Sequence, residues 1–355
     1  MGMPRFASDC RRVIVDAQLA ADPDALASLL AALRAEHPDW ELLLYDAPPA
    51  ASADPAGPQR IDAEGEGGLA ALERLHAGGV LEQTLLLSGR ERLLSWARRA
   101  GLPALDAGAA GQSPVETVAP HALVLRDAVA LLLAARRQRE GRPFLVGING
   151  IDKAGKTGFA AALATRLAGV GLPVEQVALD DFTAEKKERR AKGYPEPEGL
   201  YRKYYAMDRL KEQLLLPLRQ ARELPLELHY DVYDAGRERV TGRRRLALEP
   251  GGLLLLEGPF LFQSDSFGYY DFRIYLVSDF ERALELALGA LEGKQRAKRE
   301  QEFQRRELAA QSLYLKQEAP WKRAQLVLRG MNTDTPRIES ARLGDAAPNA
   351  GVHER

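Results

Sequence analysis

At 355 residues, 46% of them hydrophobic, the chain is long enough to bury more than one core, and two domains are expected. Its 49 basic and 50 acidic side chains leave a formal net charge of -1, which excludes a global field suited to nucleic acid or an anionic membrane, so any anion site must be local. Cys10 is the single cysteine, which excludes a disulfide framework and a cysteine-built metal centre and suits a reducing, cytoplasmic setting. The first residues lack a signal-peptide core and the longest apolar runs carry charges, so no membrane segment is expected.

In chain order, "RVIVD" reads as a strand, "DALASLLAALRAEH" as a helix and "WELLLYD" as a second strand. The Pro/Ala/Gly-rich "APPAASADPAGPQRIDAEGEGG" reads as a mobile loop. Helix "GGLAALERLHAGG", strand "EQTLLLS", helix "GRERLLSWARRAG" and short strand "PALDAG" complete a small Rossmann-like α/β domain over residues 1–125. The helix "HALVLRDAVALLLAARRQREG" leads to Gly141, giving a connection over 126–141.

The second half, residues 142–342, alternates again. Strand "PFLVGI", helix "GKTGFAAALATRLAGVG" and strand "VEQVALDD" are followed by a charged insertion and the helix "MDRLKEQLLLPLRQA". Strands "GGLLLLEG" and "DFRIYLV", helices "DFERALELALGALEG" and "KQRAKREQEFQRRELAAQSLYLKQ", and a last strand "AQLVLR" complete it. The pattern predicts a parallel sheet covered on both faces, with residues 343–355 as a disordered tail.

Between the first strand and helix of this half stands Gly150-Ile151-Asp152-Lys153-Ala154-Gly155-Lys156-Thr157, followed by Gly158, a full G-x-x-x-x-G-K-[ST] match. Such glycines let backbone N–H groups turn inward on phosphate oxygens, and the helix start adds unpaired donors. Lys156 is expected to reach the β and γ phosphates of ATP and the Thr157 hydroxyl to ligate Mg2+. The bland alternative is a glycine-rich turn with a solvated lysine. Asp180 and Asp181 end one strand on the same sheet edge, as a proton acceptor or as caps of a turn. Glu257 ends another, oriented to Mg2+ or to solvent.

These residues resemble the uridine kinase-like (uridine kinase/phosphoribulokinase type) P-loop kinases from about Pro143 to Ile338. The loop is similar to that family's "GI-G--GSGKT", "LDDFT" to its "DDFY" or "DDFH", "HYDVYDAGRERV" to its "YDF---H-R", "LLLLEGPFLF" to its "EGIL-F" and "AQLVLRGMNTDTPRI" to its closing "ADLVVDNTD-PRI". The resemblance implies a P-loop NTPase three-layer parallel sheet, with Asp180 as base on the accepting hydroxyl. It further implies Thr157, Asp181 and Glu257 toward the metal and Phe182, Tyr230, Asp231 and Arg237 toward the substrate.

Departures accompany the matches. The family's "R---RD" pattern at the start of the lid is replaced by "LELALGAL", Leu284 to Leu291, without arginine. Arg296, Lys298, Arg299, Arg305 and Arg306 follow, with Arg296 and Arg299 taken as the lid cations; the alternative is the solvated face of a charged helix. Thr183 and Ala235 stand where the family has an aromatic or His and a His, and Glu196 or Glu198 is the candidate for an acidic sugar contact. The first half resembles haloacid-dehalogenase-like phosphatases only in Asp16 and Ser88, and Gln18 replaces their acid catalyst, so a non-catalytic domain is expected, with an unrelated α/β domain as the alternative. The expected function is ATP- and Mg2+-dependent phosphorylation of a hydroxyl on a nucleoside or other small polar acceptor. The alternative is a nucleotide-binding regulator with weak or lost transfer. Expected partners are the nucleotide and this acceptor, with no nucleic acid and no membrane, and a homo-oligomer is left open.

Overall fold

The computed structural model describes residues 6–7, 10–20, 23–45, 59–61, 69–77, 81, 83–100, 102–107, 119–139, 141–189 and 196–342. The expected tail at 343–355 lies outside the described residues. So does most of the Pro/Ala/Gly-rich stretch, although that stretch contains a short strand.

The chain divides into two compact α/β units, Met1–Asp127 and Ala128–Arg355. The first carries five parallel strands, β1 (Arg12–Asp16), β2 (Glu41–Tyr45), β3 (Gln59–Ile61), β4 (Thr84–Ser88) and β5 (Ala104–Asp106), in the order β3-β2-β1-β4-β5. Side chains alternate across a strand, so each apolar strand serves two cores. Val13, Val15, Leu42 and Leu44 pack with Leu26, Leu30 and Leu33 of the helix Pro23–Glu36. Ile14, Leu43 and Tyr45 meet Leu72, Leu93 and Trp96 on the other face.

Order reverses between β1 and β4, the place where open α/β sheets take ligands. Here that edge is filled by the protein itself. Asp16 is fully buried, and Arg90 donates to both its carboxylate oxygens, Nε to Oδ2 at 2.7 Å and Nη2 to Oδ1 at 2.8 Å. Ser88 Oγ donates to Oδ2 at 2.6 Å and the Gln18 N–H to Oδ1 at 3.2 Å. Both oxygens of this carboxylate are thus engaged by groups of the first unit itself.

The second unit holds a six-stranded sheet of β6 (Phe144–Gly150), β7 (Val174–Ala178), β10 (Leu253–Gly258), β11 (Phe272–Val277), β12 (Leu326–Arg329) and β13 (Arg337–Ala341). Their order is β13-β12-β11-β6-β10-β7. All pairs are parallel except β12–β13, so β12 is not the last strand as its sequence implies. On one face Leu145, Val177, Leu254 and Leu256 pack against Leu210, Leu214 and Leu218. The helix Lys156–Gly169 packs on β6, β7 and β10 through buried Phe159, Leu163 and Leu167. This is a three-layer α/β arrangement whose sheet is parallel but for its β13 edge.

The stretch read as one helix from Met207 is α-helical over Met207–Leu210, π-helical over Lys211–Leu215 and α-helical again over Leu216–Gln220, where Pro217 removes a donor. A hairpin of β8 (Leu226–Asp234) and β9 (Arg239–Leu248) forms a two-stranded sheet of its own, and its Tyr230, Leu246 and Leu248 join the core of Leu254 and Leu256.

Candidate active site

The register of the sheet brings the loop and the acids to one edge. β10 pairs Glu257 with Ile148 of β6 and with Ala178 of β7, one residue before the Leu179–Phe182 turn that carries Asp180. Gly150 must be glycine, because a Cβ there would lie 2.7 Å from the Leu276 carbonyl oxygen. Gly155 sits at φ 88° as the N-cap of the helix Lys156–Gly169 and offers no side-chain cap. The first hydrogen bond of that helix runs from Phe159 N–H to Gly155 O at 2.9 Å, so the N–H groups of Lys156, Thr157 and Gly158 point past the helix end as ready anion donors.

Asp152, Lys153, Gly155, Lys156, Thr157 and Gly158 line a cavity of about 940 Å3, whereas Ile151 and Ala154 are buried beneath it. Asp180, Tyr205, Glu257, Arg299 and Arg306 line the same cavity. Thr157 Oγ1 donates to Glu257 Oε1 at 2.9 Å, joining two hard oxygen groups from different elements. Tyr205 OH donates to Asp180 Oδ1 at 3.1 Å and fixes that carboxylate. Lys156 is only 8% exposed and donates from Nζ to Ile151 O at 2.8 Å, so it is not the solvated lysine of an ordinary turn.

The electrostatics follow from this enclosure. Burial pushes the Lys156 amine below its ordinary value, against the pull of Asp152, Glu257 and Asp180. Burial likewise raises the Glu257 carboxyl, opposed by the Thr157 hydrogen bond and by Lys156. It raises Asp152 too, with Lys156 again opposing. A phosphate and a divalent cation are the two charges that would relieve these strains. Among the described residues no group of three or more His, Cys, Asp or Glu could cage a metal alone.

Several expected site residues lie elsewhere. Asp181 does not line the cavity; it turns the opposite way from Asp180 and accepts from Tyr230 OH at 2.9 Å, with Arg244 at 3.4 Å. Consecutive residues of a tight turn diverge, so only one of the two acids can face the loop. Phe182 and Tyr230 are fully buried and stack at 5.1 Å in the core, which removes them from substrate contact. Asp231 is held by Gln213, whose Nε2 donates to Oδ2 at 2.9 Å. Arg237 sits exposed at the hairpin turn beside Asp234, 3.7 Å away. Of the two lid arginines, Arg296 is exposed and off the cavity wall, while Arg299 lines it and donates to Glu307 at 2.9 Å. Leu286, from the arginine-free stretch, lines the wall directly. Glu198 pairs with Arg202, and Glu196 with Arg306 at 3.7 Å.

No family model matches the chain, and no curated protein matches it. Among solved structures it is similar to a possible uridine kinase from Bacillus stearothermophilus, at 25% identity over 57% of this chain and 98% of that one, TM-score 0.45. It is similar also to the YGR205w protein, at 14% identity over 61% and 99%, TM-score 0.42. A third is D-glycerate 3-kinase from Cryptococcus neoformans, at 13% identity over 58% and 71%, TM-score 0.31.

Sequence reasoning missed the groups that brace the loop. Gln311, buried in the helix Ala309–Glu318, accepts the Asp152 N–H at 3.0 Å. Tyr314 of the same helix accepts from Asn149 Nδ2 and from the Phe262 N–H at 3.0 Å, and Asn149 accepts the Gly150 N–H at 2.8 Å. Asn332 Nδ2 donates to Lys153 O at 2.9 Å from the β12–β13 connection. Arg189 was missed as well, although it lines the cavity. A very polar helix gives no signal of this kind except its isolated Gln and Tyr on one face.

Proposed function

We propose that the second unit is an ATP- and Mg2+-dependent phosphotransferase of the uridine kinase-like type, acting on a hydroxyl of a small polar acceptor. The observation that carries this reading is the Thr157–Glu257 hydrogen bond at 2.9 Å, set in one cavity with buried Lys156, Asp180 and an uncapped helix N-terminus. A phosphate-binding loop alone could serve a regulator; an acid held by a tyrosine within the same cavity suits proton removal.

In this reading the N–H groups of Lys156, Thr157 and Gly158 hold phosphate oxygens, and the Lys156 amine neutralises charge on the transferring group. Thr157 and Glu257 would hold Mg2+, which when bound offsets the negative charge of the phosphates. Tyr205 orients Asp180, whose carboxylate takes the proton from the acceptor hydroxyl. That oxygen forms its bond to the γ phosphorus as the bond to the bridging oxygen breaks and ADP leaves. Arg299, once it exchanges Glu307 for a phosphate oxygen, supplies the lid charge that Leu284–Leu291 lacks.

Leu286 on the cavity wall favours a second reading, a nucleotide-binding regulator, since a leucine there adds no charge to the transfer step. A screen of the purified protein for Mg-ATP-dependent transfer to polyols, sugar acids, sugar phosphates and nucleosides separates the two. Transfer to any of them supports the phosphotransferase; ATP binding with transfer to none supports the regulator.

A further inference from the structure

The phosphate loop carries an acid that phosphate binding does not explain. Asp152 precedes Gly155 in a loop whose free N–H groups and helix end draw anions, and a carboxylate there works against a phosphate. Its backbone is nevertheless fixed on both sides. Gln311 Oε1 accepts the Asp152 N–H at 3.0 Å, the chain turns at Lys153 with φ 65°, and Asn332 Nδ2 donates to the Lys153 carbonyl at 2.9 Å. The side chain is left over: Asp152 lines the cavity, and its carboxylate accepts no hydrogen bond from the described residues.

Gln311 ties this acid to a second one. Glu307 lies about one turn earlier on the continuous helical run of Phe303–Leu308 and Ala309–Glu318, and it lines the same cavity. Glu307 Oε1 accepts from Arg299 Nη1 at 2.9 Å, whereas Oε2 is buried with no donor among the described residues. A buried acceptor left open calls for a partner. Burial raises the Asp152 carboxyl, with Lys156 opposing and Asp180 and Glu307 adding to the rise, so Asp152 lies within the fields of both acids. Phosphate oxygens bring no proton to share with these carboxylates, and among the described residues no three acids stand together as a cage for a metal ion. Five Lys or Arg side chains already line the cavity against four Asp or Glu, so a cationic ligand is not called for. Hydroxyl groups, which a small polar acceptor carries in number, are the neutral donors that fit.

We propose that Asp152 and Glu307 accept hydrogen bonds from hydroxyl groups of the acceptor other than the one that reacts, and so select a polyhydroxylated acceptor over its deoxy analogues. That the bound molecule is phosphorylated rests on the phosphotransferase reading; the hydroxyl site rests on the two acids alone, and the test treats them separately. Ribose is compared with 2-deoxyribose, glycerol with propane-1,3-diol and uridine with 2′-deoxyuridine. Binding to the whole protein is read by calorimetry and Mg-ATP-dependent transfer by product formation. Asp152→Ala, Asp152→Asn and Glu307→Ala are set beside the parent, each with an ATP titration and a melting curve; the Glu307 side chain is 23% exposed, so its variant reports even if Asp152→Ala does not fold.

In at least one pair the compound with the additional hydroxyl should bind tenfold or more tightly. Either alanine substitution should weaken its binding roughly ten- to a hundredfold, and Asp152→Asn, whose amide oxygen still accepts, should restore part of it. ATP should bind Asp152→Ala at least as tightly as the parent, because a carboxylate has left the phosphate loop. A deoxy analogue binding as well as its parent compound in all three pairs, or a preference retained in both alanine variants, overturns the proposal. Weaker ATP binding by Asp152→Ala overturns it too, and would assign the acid to the nucleotide's cation. A preference that needs the two acids, with transfer to no compound, overturns the phosphotransferase reading and leaves the hydroxyl site standing. Transfer that is as efficient to the deoxy analogues and indifferent to the alanine variants does the reverse.

Discussion

At the scale of single residues, burial of charge is the recurring device. Lys156 is enclosed and held below its ordinary pKa, so its removal relieves a desolvation cost while stripping the loop of its cation. Lys156→Ala should abolish measurable ATP binding without lowering the melting temperature, as calorimetric titration and a thermal scan would record; retained ATP affinity contradicts the role given to this side chain. Asp271 is a second case. Its carboxylate accepts the Leu145 N–H at 2.8 Å and pairs with Arg139, yet burial raises its pKa above the ordinary carboxylate range. A raised acid binds its proton more tightly in the folded chain, so its contribution to stability is complete below the unfolded pKa and is lost as pH rises through the folded value. The stability of the parent relative to Asp271→Asn should therefore fall as pH climbs above the ordinary aspartate value of about 4. Denaturant titrations at a series of pH values above that point check the sign.

At the scale of elements, the helix Ala309–Glu318 acts as a strut for the loop. Tyr314→Phe would leave Asn149 Nδ2 and the Phe262 N–H unpaired in the core, at a cost of about 1–3 kcal/mol. Chemical denaturation should show that loss together with weaker ATP binding; a neutral substitution would mean the strut does not matter. Elements also explain how much could be read beforehand. The phosphate loop was legible because its glycines answer to backbone geometry, at Gly150 against Leu276 O and at Gly155 with φ 88°. The β8–β9 hairpin was not, because β9, "RVTGRRRLAL", is mostly charged and exposed and hides the partner of the alternating β8, "LELHYDVYD". Asp180 and Asp181 looked equivalent in sequence; only the turn Leu179–Phe182 sends one to Tyr205 in the cavity and the other to Tyr230. The strut residues and Arg189 act through contacts distant in sequence, which no local pattern records.

At the scale of the molecule, the two units carry opposite fates of the same fold logic. Both place acids at the carboxyl edge of a parallel sheet. In the first unit the switch-point acid Asp16 is closed by Arg90 and Ser88; in the second, Asp180 and Glu257 open onto a cavity. Arg90→Ala would strand a buried carboxylate and should destabilise the first unit by about 3 kcal/mol, measured by denaturation, without creating phosphomonoester hydrolysis. Hydrolysis that depends on Asp16 would show that the closed edge is a latch on a working site.

The central claim is that the second unit transfers phosphate, with Asp180 taking the acceptor proton. Single-turnover transfer from Mg-ATP to the best acceptor, for the parent and for Asp180→Asn at saturating nucleotide, addresses it most directly. The account predicts ATP affinity within about twofold and transfer slowed roughly a hundred- to ten-thousandfold, the usual cost of losing a general base. Transfer unchanged in Asp180→Asn, or absent in a parent that binds Mg-ATP, would contradict it.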